Sequence, residues 1–446
     1  MRVTAAVDAY MRAVEADPAA ARDQAEWLSE AFARRGVTFG GAPMRTFLRP
    51  HLISAADWER LGRSGRRVLE LAARAARHAF GGDPGRLAAF LGMPEVESRW
   101  VALDRGEPDV VWSRLDAFVT PEGPRFIEIN NDAPAGFGYG DRMAELFREL
   151  RVFREFARTH PVTYPASAAG LVAAALRYWR GRGSGGDPTV AIVDWADVPT
   201  RADQEILREG FAARGLRCFL ADPRELERIG GRLWRGDEVV DLVFRRALLP
   251  ELLDRREESR DLLESYRREE AVFFNPFRCR LAENKAFFAV LTDEDFAGLF
   301  DEEERALLAA TVPWTRRVSE RKTLRAGLAV DLIPHVVERR EELVLKPAHA
   351  SGGREVRVGA ETPQAEWQDA VNEALRSPWV VQEWVPIPEE PFPVFEQGRI
   401  SRAVLKVNAN PFYAWGEEVG AVARASRSPV INVSAGGGSV PAFVLA

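Results

Sequence analysis

The sequence predicts a mixed α/β (α+β) protein with a helical N-terminal region and a small parallel α/β unit in the middle of the chain. Three observations support this fold class. The first hundred residues have mostly helical apolar spacing, residues 110–130 read as two strands joined by a turn, and strands alternate with helices over residues 189–250. The 446 residues are enough for two or three domains or for one large two-lobed enzyme.

Composition and charge exclude several classes of protein. Apolar residues make up 46% of the chain and charged residues 29%, which is typical of a globular protein that buries a sizeable core. A net charge of −6 gives no electrostatic basis for nucleic acid or an anionic membrane as a partner. The two cysteines form no CxxC motif, and no apolar run is long enough to cross a bilayer. We therefore expect a cytoplasmic protein.

Helical spacing and turn residues predict the elements on either side of the hairpin. Helices are expected at 1–35, 55–80, 141–160 and 166–180, an extended segment at 46–53 and a linker at 181–188. The parallel unit follows, with strands at 189–194, 216–221 and 239–245, helices at 202–214 and 223–229, and a charged helical segment at 251–270. No GxGxxG follows its first strand, so a dinucleotide site is not supported.

The rest of the chain again alternates helices with strands. Helices are expected at 286–291, 301–311 and 365–375, strands at 342–346, 380–383, 403–407 and 420–425, and a loop at the acidic stretch 388–392. We therefore divide the chain into a helical N-terminal region (1–100), a hairpin with its following helices (101–180), a small parallel α/β domain (187–270) and a C-terminal region (271–446).

The predicted hairpin has the most informative chemistry in the chain. Because side chains alternate along a strand, Arg114 and Asp116 share one face of the first strand, and Glu128 and Asn130 share one face of the second. If the strands pair, two carboxylates and an amide oxygen converge, which suits Mg²⁺ with phosphate partners. Arg114 would add a positive charge for a transferring phosphoryl group or an oxyanion.

An amphipathic hairpin with a solvated charged face is the alternative, and taken alone the hairpin favours it. Two features weaken that interpretation. The apolar residues Phe126, Ile127 and Ile129 make the second strand look buried, and buried carboxylates need partners. The segment NNDAPAGFGYG that follows is rich in Asn, Asp, Pro and Gly, which predicts a sharply shaped loop.

A second group of candidate residues lies in the last third of the chain. The strand ending at Lys346 runs into a loop with Ser351, Gly352 and Gly353, and this order suits a flap whose backbone N–H groups approach nucleotide phosphates. An ordinary glycine hairpin with a solvated lysine explains this segment equally well. Lys285 opens a helix, where it is either a phosphate ligand or a surface lysine.

Three further segments complete the candidate site. The strand end Gln382 to Val385 could offer backbone groups to an adenine edge, although a plain core strand is the simpler interpretation. A small-residue strand, 420–426, carries one arginine, Arg424. The glycine-rich segment 434–440 could close over a bound substrate.

Together these elements resemble the ATP-grasp superfamily, and in particular its permuted branch, which includes glutathionylspermidine synthase and eukaryotic-type glutathione synthetase. In that family an arginine and an aspartate two residues apart precede a glutamate and an asparagine two residues apart, and then an Asn-x-Asp-x-Pro loop. Here these are Arg114 and Asp116, Glu128 and Asn130, and the segment NNDAP at 130–134. The nucleotide lysines follow instead of preceding them, which is the permuted order.

The resemblance implies a circularly permuted ATP-grasp fold with a small parallel (pre-ATP-grasp-like) domain, and it implies roles for individual residues. The metal ligands for Mg²⁺ would be Asp116, Glu128 and Asn130, and the catalytic residues Arg114 and Arg424. The ATP-binding residues would be Lys285, Lys346, Ser351, Gly352, Gly353, Gln382, Glu383, Trp384, Val385 and, near the ribose, Asn408 or Glu417. The substrate would contact Asn131, Asp132, Arg245, Gly436 and Gly437, with Arg49 also in the pocket wall.

The activity implied is an ATP- and Mg²⁺-dependent ligase that joins a small-molecule or peptide carboxylate to an amine through an acyl-phosphate. The alternatives are an ATP-grasp phosphotransferase acting on a small molecule and a non-catalytic nucleotide-binding protein. The flap Ala348-His-Ala-Ser departs from the family pattern, which often has an acidic or polar residue there. No catalytic Cys–His context indicates the amidase domain of that family, so glutathione and spermidine are not carried over as substrates. The oligomeric state stays open, with a homodimer as the arrangement that these families make common.

Overall fold

In the part of the chain that the structure describes, three larger sheets of four to eight strands form the framework, with helices packed around them and three smaller sheets beside them. The computed structural model describes residues 3–103, 110–183, 185–349, 355–433 and 436–446. Within these ranges, no helix is both long and apolar enough to span a bilayer.

The helices lie mostly in the first two thirds of the chain. In chain order they are α1 (Val3–Glu15), α2 (Pro18–Arg34), α3 (Ala55–His78), α4 (Pro84–Phe90), α5 (Glu95–Val101), α6 (Phe137–Glu149), α7 (Arg151–Thr159), α8 (Ser167–Gly181), α9 (Arg201–Ala212), α10 (Leu249–Asp254), α11 (Arg260–Arg268), α12 (Arg280–Glu283), α13 (Phe287–Thr292), α14 (Glu302–Thr311), α15 (Leu332–Glu338) and α16 (Gln364–Ala374). Short 3₁₀ turns link several of them.

The strands are concentrated in the second half. In chain order they are β1 (Thr38–Phe39), β2 (Ala42–Pro43), β3 (His51–Ser54), β4 (Trp112–Thr120), β5 (Gly123–Asn130), β6 (Val162–Thr163), β7 (Val190–Val193), β8 (Cys218–Ala221), β9 (Glu227–Ile229), β10 (Arg232–Arg235), β11 (Glu238–Val240), β12 (Leu242–Arg245), β13 (Val272–Phe274), β14 (Thr315–Arg317), β15 (Lys322–Arg325), β16 (Leu328–Asp331), β17 (Leu343–Pro347), β18 (Arg357–Val358), β19 (Trp379–Glu383), β20 (Glu389–Glu396), β21 (Arg399–Ala414), β22 (Glu417–Ser426) and β23 (Gly438–Leu445).

The largest sheet has eight strands and runs β3-β23-β22-β21-β4-β5, with β20 paired to β21 and β6 paired to β23. The predicted hairpin is confirmed, since β4 and β5 are antiparallel neighbours at one edge. One face of this hairpin is apolar and packs on the amphipathic helix α3: Leu115, Ala117, Phe126 and Ile129 join the helix's buried residues in one hydrophobic cluster. The opposite face is therefore left to carry the polar residues.

The predicted parallel unit is confirmed as a four-stranded sheet, β13-β12-β7-β8, in which every neighbouring pair is parallel. One prediction here was wrong. Residues 223–229 were expected to be helical, but they form a single 3₁₀ turn and then β9, which pairs with β10. Pro223 together with the capping residue Asp222 starts the turn, and pairing with β10 extends the next residues into a strand.

A second antiparallel sheet, β14-β19-β17-β18, belongs to the C-terminal region and carries the predicted strand that ends near Lys346. Its outer side packs on α15 and α16 through an apolar cluster that includes Leu343, Leu345 and Trp367. The alternate residues of β17 are thus turned the other way, toward the eight-stranded sheet.

The N-terminal region shares the eight-stranded sheet with the C-terminal residues, because β3 pairs in parallel with β23. The acidic stretch 388–392, expected to be a loop, is part of β20. There the carboxylate of Glu390 lies 2.6 Å from Arg49, which is fully buried, and 3.3 Å from His51. The prediction that Arg49 lines the substrate pocket is therefore corrected: its guanidinium joins the N-terminal segment to β20 instead.

Replacing Glu390 by glutamine is expected to destabilise the fold by about 3 kcal/mol at neutral pH. Burial opposes ionisation of Glu390, but the charges of His51 and Arg49 outweigh it and lower the pKa of the carboxyl to about 2. Because the folded-state pKa lies below the unfolded one, the stabilisation is complete above about pH 4.5 and is lost as the pH falls toward 2. Urea unfolding of both proteins between pH 3 and 7 measures this difference, and a pH-independent difference would contradict the account.

Candidate functional site

A cavity of about 780 Å³ lies between the polar face of the eight-stranded sheet and the inner face of the sheet β14-β19-β17-β18. Its wall also takes residues from α6, from α12 and the segment that follows it, and from the segment 429–433. A cavity of this volume, with a few charged groups in its wall, is typical of a small-molecule site.

The first wall is the hairpin face predicted from sequence. Arg114, Asp116 and Phe118 are alternate residues of β4, and all three reach the cavity. Asp116 lies directly opposite Glu128 in the register, and Arg114 lies opposite Asn130. A β-bulge next to the pair Asp116–Glu128 places Ile127 in the wall beside Glu128. The register thus brings the four predicted polar side chains together.

The neighbouring strands extend this row across the sheet. Asn408 of β21 pairs in register with Arg424 of β22, which in turn pairs with Ser439 of β23, and all three line the cavity. Arg424 donates a hydrogen bond of 3.2 Å to Asp116. Arg424 is therefore adjacent to the hairpin carboxylates, although about 300 residues separate them in the chain.

The second wall carries the predicted lysine of β17. Lys346 and Val344 are alternate residues of this strand, and both reach the cavity, as does Gln382 of β19. The Lys346 ammonium donates to the Gln382 side-chain oxygen at 2.6 Å, and Gln382 donates to Thr315 at 3.0 Å. Lys346 is thus held on the wall that faces the carboxylates.

Lys285 connects the two walls. Its backbone N–H donates to the carbonyl of Ala348, just beyond β17, at 3.2 Å. Its ammonium donates to Glu128 at 2.7 Å. Lys285 is therefore a cavity residue, and the interpretation of it as a plain surface lysine is excluded.

The charges of the site are mutually compensated. Asp116 Oδ1 accepts from Arg114 at 2.8 Å and from Asn130 at 3.1 Å. Burial opposes ionisation of Asp116, but Arg114 and Arg424 outweigh it and lower the pKa of its carboxyl. The carboxylate is therefore ionised at neutral pH, with two guanidinium groups beside it.

Two of the cations, Lys346 and Arg424, have a pKa below the ordinary value. Burial lowers the pKa of Lys346 to about 8, and the charge of Lys285 adds to the effect. Burial and the charge of Arg114 lower the pKa of Arg424 to about 10. Several positive groups thus share one poorly hydrated space, which favours an anion with several charges.

The donor set fits a magnesium ion. Mg²⁺ in nucleotide sites is usually held by one or two carboxylates together with phosphate oxygens and water. Asp116 and Glu128, with the amide of Asn130, supply such a set on one face. No cluster of three or more His, Cys, Asp or Glu side chains able to hold a metal occurs in the ranges that the structure describes.

The predicted substrate residues Asn131, Asp132 and Arg245 lie behind the cavity wall instead of on it. Asp132 and Arg245 are both 0% exposed and form an ion pair of 2.5 Å. Arg280 approaches the same carboxylate at 2.9 Å, and Glu283 accepts the backbone N–H of Asn131 at 2.7 Å. This buried network fixes the loop after β5. The prediction that Asn131, Asp132 and Arg245 contact the substrate directly is therefore corrected.

The glycine-rich segment also differs from its prediction. Gly436 and Gly437 lie outside the cavity wall, where their N–H groups close a turn onto Val433 and Asn432. Among the described residues of this segment, Ser439 reaches the cavity, and so do residues 429–433 just before the segment. The predicted flap residues Ser351, Gly352 and Gly353 fall outside the described ranges.

The strand end predicted to meet adenine lies on the cavity wall, since Glu383, Trp384 and Val385 all line it. Glu383 is held between Arg125, at 2.9 Å, and Arg325, at 3.2 Å. This ion-pair set joins the hairpin to the second sheet at the cavity rim. Of the two residues considered near the ribose, Asn408 is in the wall and Glu417 is not.

Several cavity residues were not identified from the sequence. Most of them come from segments with no motif. The set is Phe39, Met44, Gly136, Tyr139, Met143, Pro199, Thr200, Glu251, Arg280, Glu283, His349 and residues 429–433. Gly136 and Tyr139 belong to the NNDAPAGFGYG segment, which follows β5, and His349 belongs to the predicted flap. The others are brought in by long-range packing alone.

Comparison with known proteins gives relatives and a shared fold. No family model matches the chain. An uncharacterised protein of Mycobacterium tuberculosis (strain H37Rv) is 26% identical over an alignment of 472 positions that covers 98% of this chain and 81% of that protein. An uncharacterised protein of Mycobacterium leprae (strain TN) is 24% identical over 467 positions, covering 98% and 79%.

Among solved structures, a glutathione synthetase-like effector from Globodera pallida in its apo form matches with a TM-score of 0.63. The match covers 96% of this chain and 98% of the effector at 12% sequence identity. The chain therefore has a mixed α/β fold similar to that of a glutathione synthetase-like protein, and the fold expectation is confirmed at that level. The circular permutation stays a prediction.

Proposed function

We propose that this protein is an ATP- and Mg²⁺-dependent ligase that joins a carboxylate to an amine through an acyl-phosphate. The observation that carries the proposal is one cavity with two opposed charged walls. Asp116, Glu128 and Asn130 lie on one wall, and Lys346 and Lys285 face them. The fold shared with a glutathione synthetase-like protein supports the same class of chemistry by analogy.

ATP is proposed to lie between the two sheets. The γ- and β-phosphates would take the positions beside Lys285 and Lys346, whose ammonium groups at present contact Glu128 and Gln382. A bound Mg²⁺ would neutralise phosphate charge next to Asp116 and Glu128. The adenine would then meet the strand end Glu383 to Val385, which lines the same wall.

The substrate carboxylate is proposed to bind beside Arg114 and Arg424. One of its oxygens attacks the γ-phosphorus, the bond to the leaving ADP oxygen breaks, and an acyl-phosphate remains. The amine then attacks the acyl carbon, phosphate leaves with the electron pair of the C–O bond, and the nitrogen loses a proton to the departing phosphate or to water. Arg114 would stabilise the oxyanion of this second step. Positioning and charge neutralisation are sufficient for both steps, so the cavity needs no strong base.

ADP release tests the proposed activity. Purified protein is incubated with Mg²⁺-ATP and fractions of a metabolite extract, and the consumed fraction is analysed by mass spectrometry. The proposal predicts ADP only with an active fraction and a product heavier by condensation of an acid with an amine. A phosphorylated small molecule with no amide would identify a phosphotransferase instead.

The affinity for ATP is expected to fall as the pH rises above about 8. Lys346 has its pKa lowered to about 8 by burial, and bound phosphates favour its charged form. Below pH 8 the lysine is already protonated, whereas above it binding must take up a proton, which weakens apparent affinity by up to about tenfold per pH unit. Calorimetric titration at pH 7, 8 and 9 measures the affinity for ATP. In Lys346→Arg this affinity should depend less on pH. An equal slope in both proteins would exclude Lys346 as the titrating group.

A further inference from the structure

One end of the cavity is apolar and is formed by parts of the chain that are distant in sequence. Its lining residues Phe39, Met44, Tyr139, Met143, Val422 and Val433 belong to a single hydrophobic cluster. They come from the hairpin β1–β2 and the residue after it, from α6, from β22 and from the segment 429–433. A continuous apolar surface therefore borders the cavity, and it is distinct from the wall that carries Lys346.

The polar groups in this region are largely taken by the protein itself. The Tyr139 hydroxyl donates to the carbonyl of Thr38 at 2.5 Å, so its ring is the part left to face the cavity. The backbone N–H groups of Gly136 and Tyr139 both donate to Asp203 at 3.0 Å. A ligand here would meet apolar side chains more often than free hydrogen-bonding groups, which favours an apolar occupant.

The apolar end is continuous with the proposed position of the reacting carboxylate. Val422 and Arg424 are alternate residues of β22, and both line the cavity. A carboxylate held by Arg424 and Arg114 would therefore extend its other end toward Val422 and the residues around it. The distance between alternate residues of one strand, about 7 Å, spans four to five methylene groups.

We propose that the carboxylate substrate of this enzyme carries an apolar body, aliphatic or aromatic, that binds against Phe39, Met44, Tyr139, Met143 and Val433. This inference rests on the proposed ligase function and adds the chemical class of the acid. Each methylene group buried there is expected to increase kcat/KM by about fourfold. A γ-glutamyl or other polar acid would leave its charged groups unpaired at this end.

Hydroxylamine makes the inference testable before the natural amine is known. The acid attacks ATP to give acyl-phosphate and ADP, the hydroxylamine nitrogen attacks the acyl carbon, and phosphate leaves. The nitrogen loses a proton, and a hydroxamate remains that is detected with ferric ion. The protein is assayed with Mg²⁺-ATP, hydroxylamine and an acid series from acetate to octanoate, together with phenylpropionate, glutamate and a γ-glutamyl dipeptide.

Two matched variants separate the subsite from general packing. Phe39→Ala removes a half-buried ring from the cavity wall, whereas Phe395→Ala removes a half-buried ring that packs on the same cluster outside the cavity. In the wild-type protein, kcat/KM is expected to rise from acetate to octanoate. Phe39→Ala should make this rise about tenfold smaller. Phe395→Ala should show the same rise in kcat/KM as the wild-type protein.

The outcomes distinguish the two proposals. Hydroxamate yield that rises with chain length, and rises less in Phe39→Ala than in Phe395→Ala, supports the inference. Turnover with glutamate or the dipeptide but not with apolar acids overturns it and leaves the ligase function standing. ATP binding without hydroxamate from any acid also overturns it. Absence of Mg²⁺-ATP binding in a parallel calorimetric titration would overturn the proposed function itself.

Discussion

Replacing Asp116 by asparagine is expected to reduce ATP-dependent turnover by on the order of a hundredfold to a thousandfold. The carboxylate lies opposite Glu128 in the hairpin register and between two guanidinium groups, Arg114 and Arg424. Asparagine keeps its shape but not its charge, so the proposed metal site loses a negative charge and the two arginines lose the anion that positions them. Glu128→Gln should have a similar effect, and it should also release Lys285.

The matched control is Glu122→Gln. This glutamate lies at the turn of the same hairpin, is exposed, and is outside the cavity wall. ADP release with an active fraction, measured together with circular dichroism, compares the three variants. Turnover of Asp116→Asn within a few fold of Glu122→Gln would remove Asp116 from the proposed metal site. A loss of folded structure in Asp116→Asn alone would show that the carboxylate is needed for packing instead.

Replacing Asp132 by asparagine is expected to lower the free energy of unfolding by about 3–5 kcal/mol. Burial opposes ionisation of Asp132, but the charges of Arg245 and Arg280 outweigh it and lower the pKa of the carboxyl. Removing the charge leaves Arg245, which is 0% exposed, without its anion inside the protein. Urea unfolding monitored by tryptophan fluorescence measures the loss.

Glu145→Gln is the matched control, because its ion pair with Arg35 joins two exposed side chains at 3.0 Å. That change should cost less than about 1 kcal/mol. The double variant Asp132→Asn with Arg245→Met should recover part of the lost stability, since neither position then carries a buried charge. If Asp132→Asn keeps its stability yet no longer turns over an active fraction, the substrate role inferred from sequence would be right and the structural role wrong.

Local patterns were enough to predict the charged walls of the site. Strand alternation places Arg114 with Asp116 and Glu128 with Asn130, and the turn between the strands makes their pairing the simplest arrangement. The strand that ends near Lys346 was likewise predicted from its own residues. These features depend on a few neighbouring residues, which is why the sequence alone reveals them.

Features that depend on distant packing could not be predicted in the same way. Asp132 resembles a loop residue ready to meet a substrate, and only the position of Arg245 at the end of β12 shows that it is buried. Glu390 looks like part of an acidic rim loop until Arg49, 341 residues away, pairs with it. Phe39 carries no motif at all, and it reaches the cavity because β1 packs beside α9 and Tyr139.

Binding of Mg²⁺-ATP is the measurement that tests the central claim most directly, because it needs no knowledge of the other substrates. Calorimetric titration compares the wild-type protein with Lys346→Met and with Lys322→Met, an exposed lysine on β15 outside the cavity wall. We expect one ATP per chain for the wild type and Lys322→Met, and affinity about tenfold to a hundredfold weaker for Lys346→Met. No binding by the wild type, or equal affinity in all three proteins, would contradict the nucleotide site proposed between the two sheets.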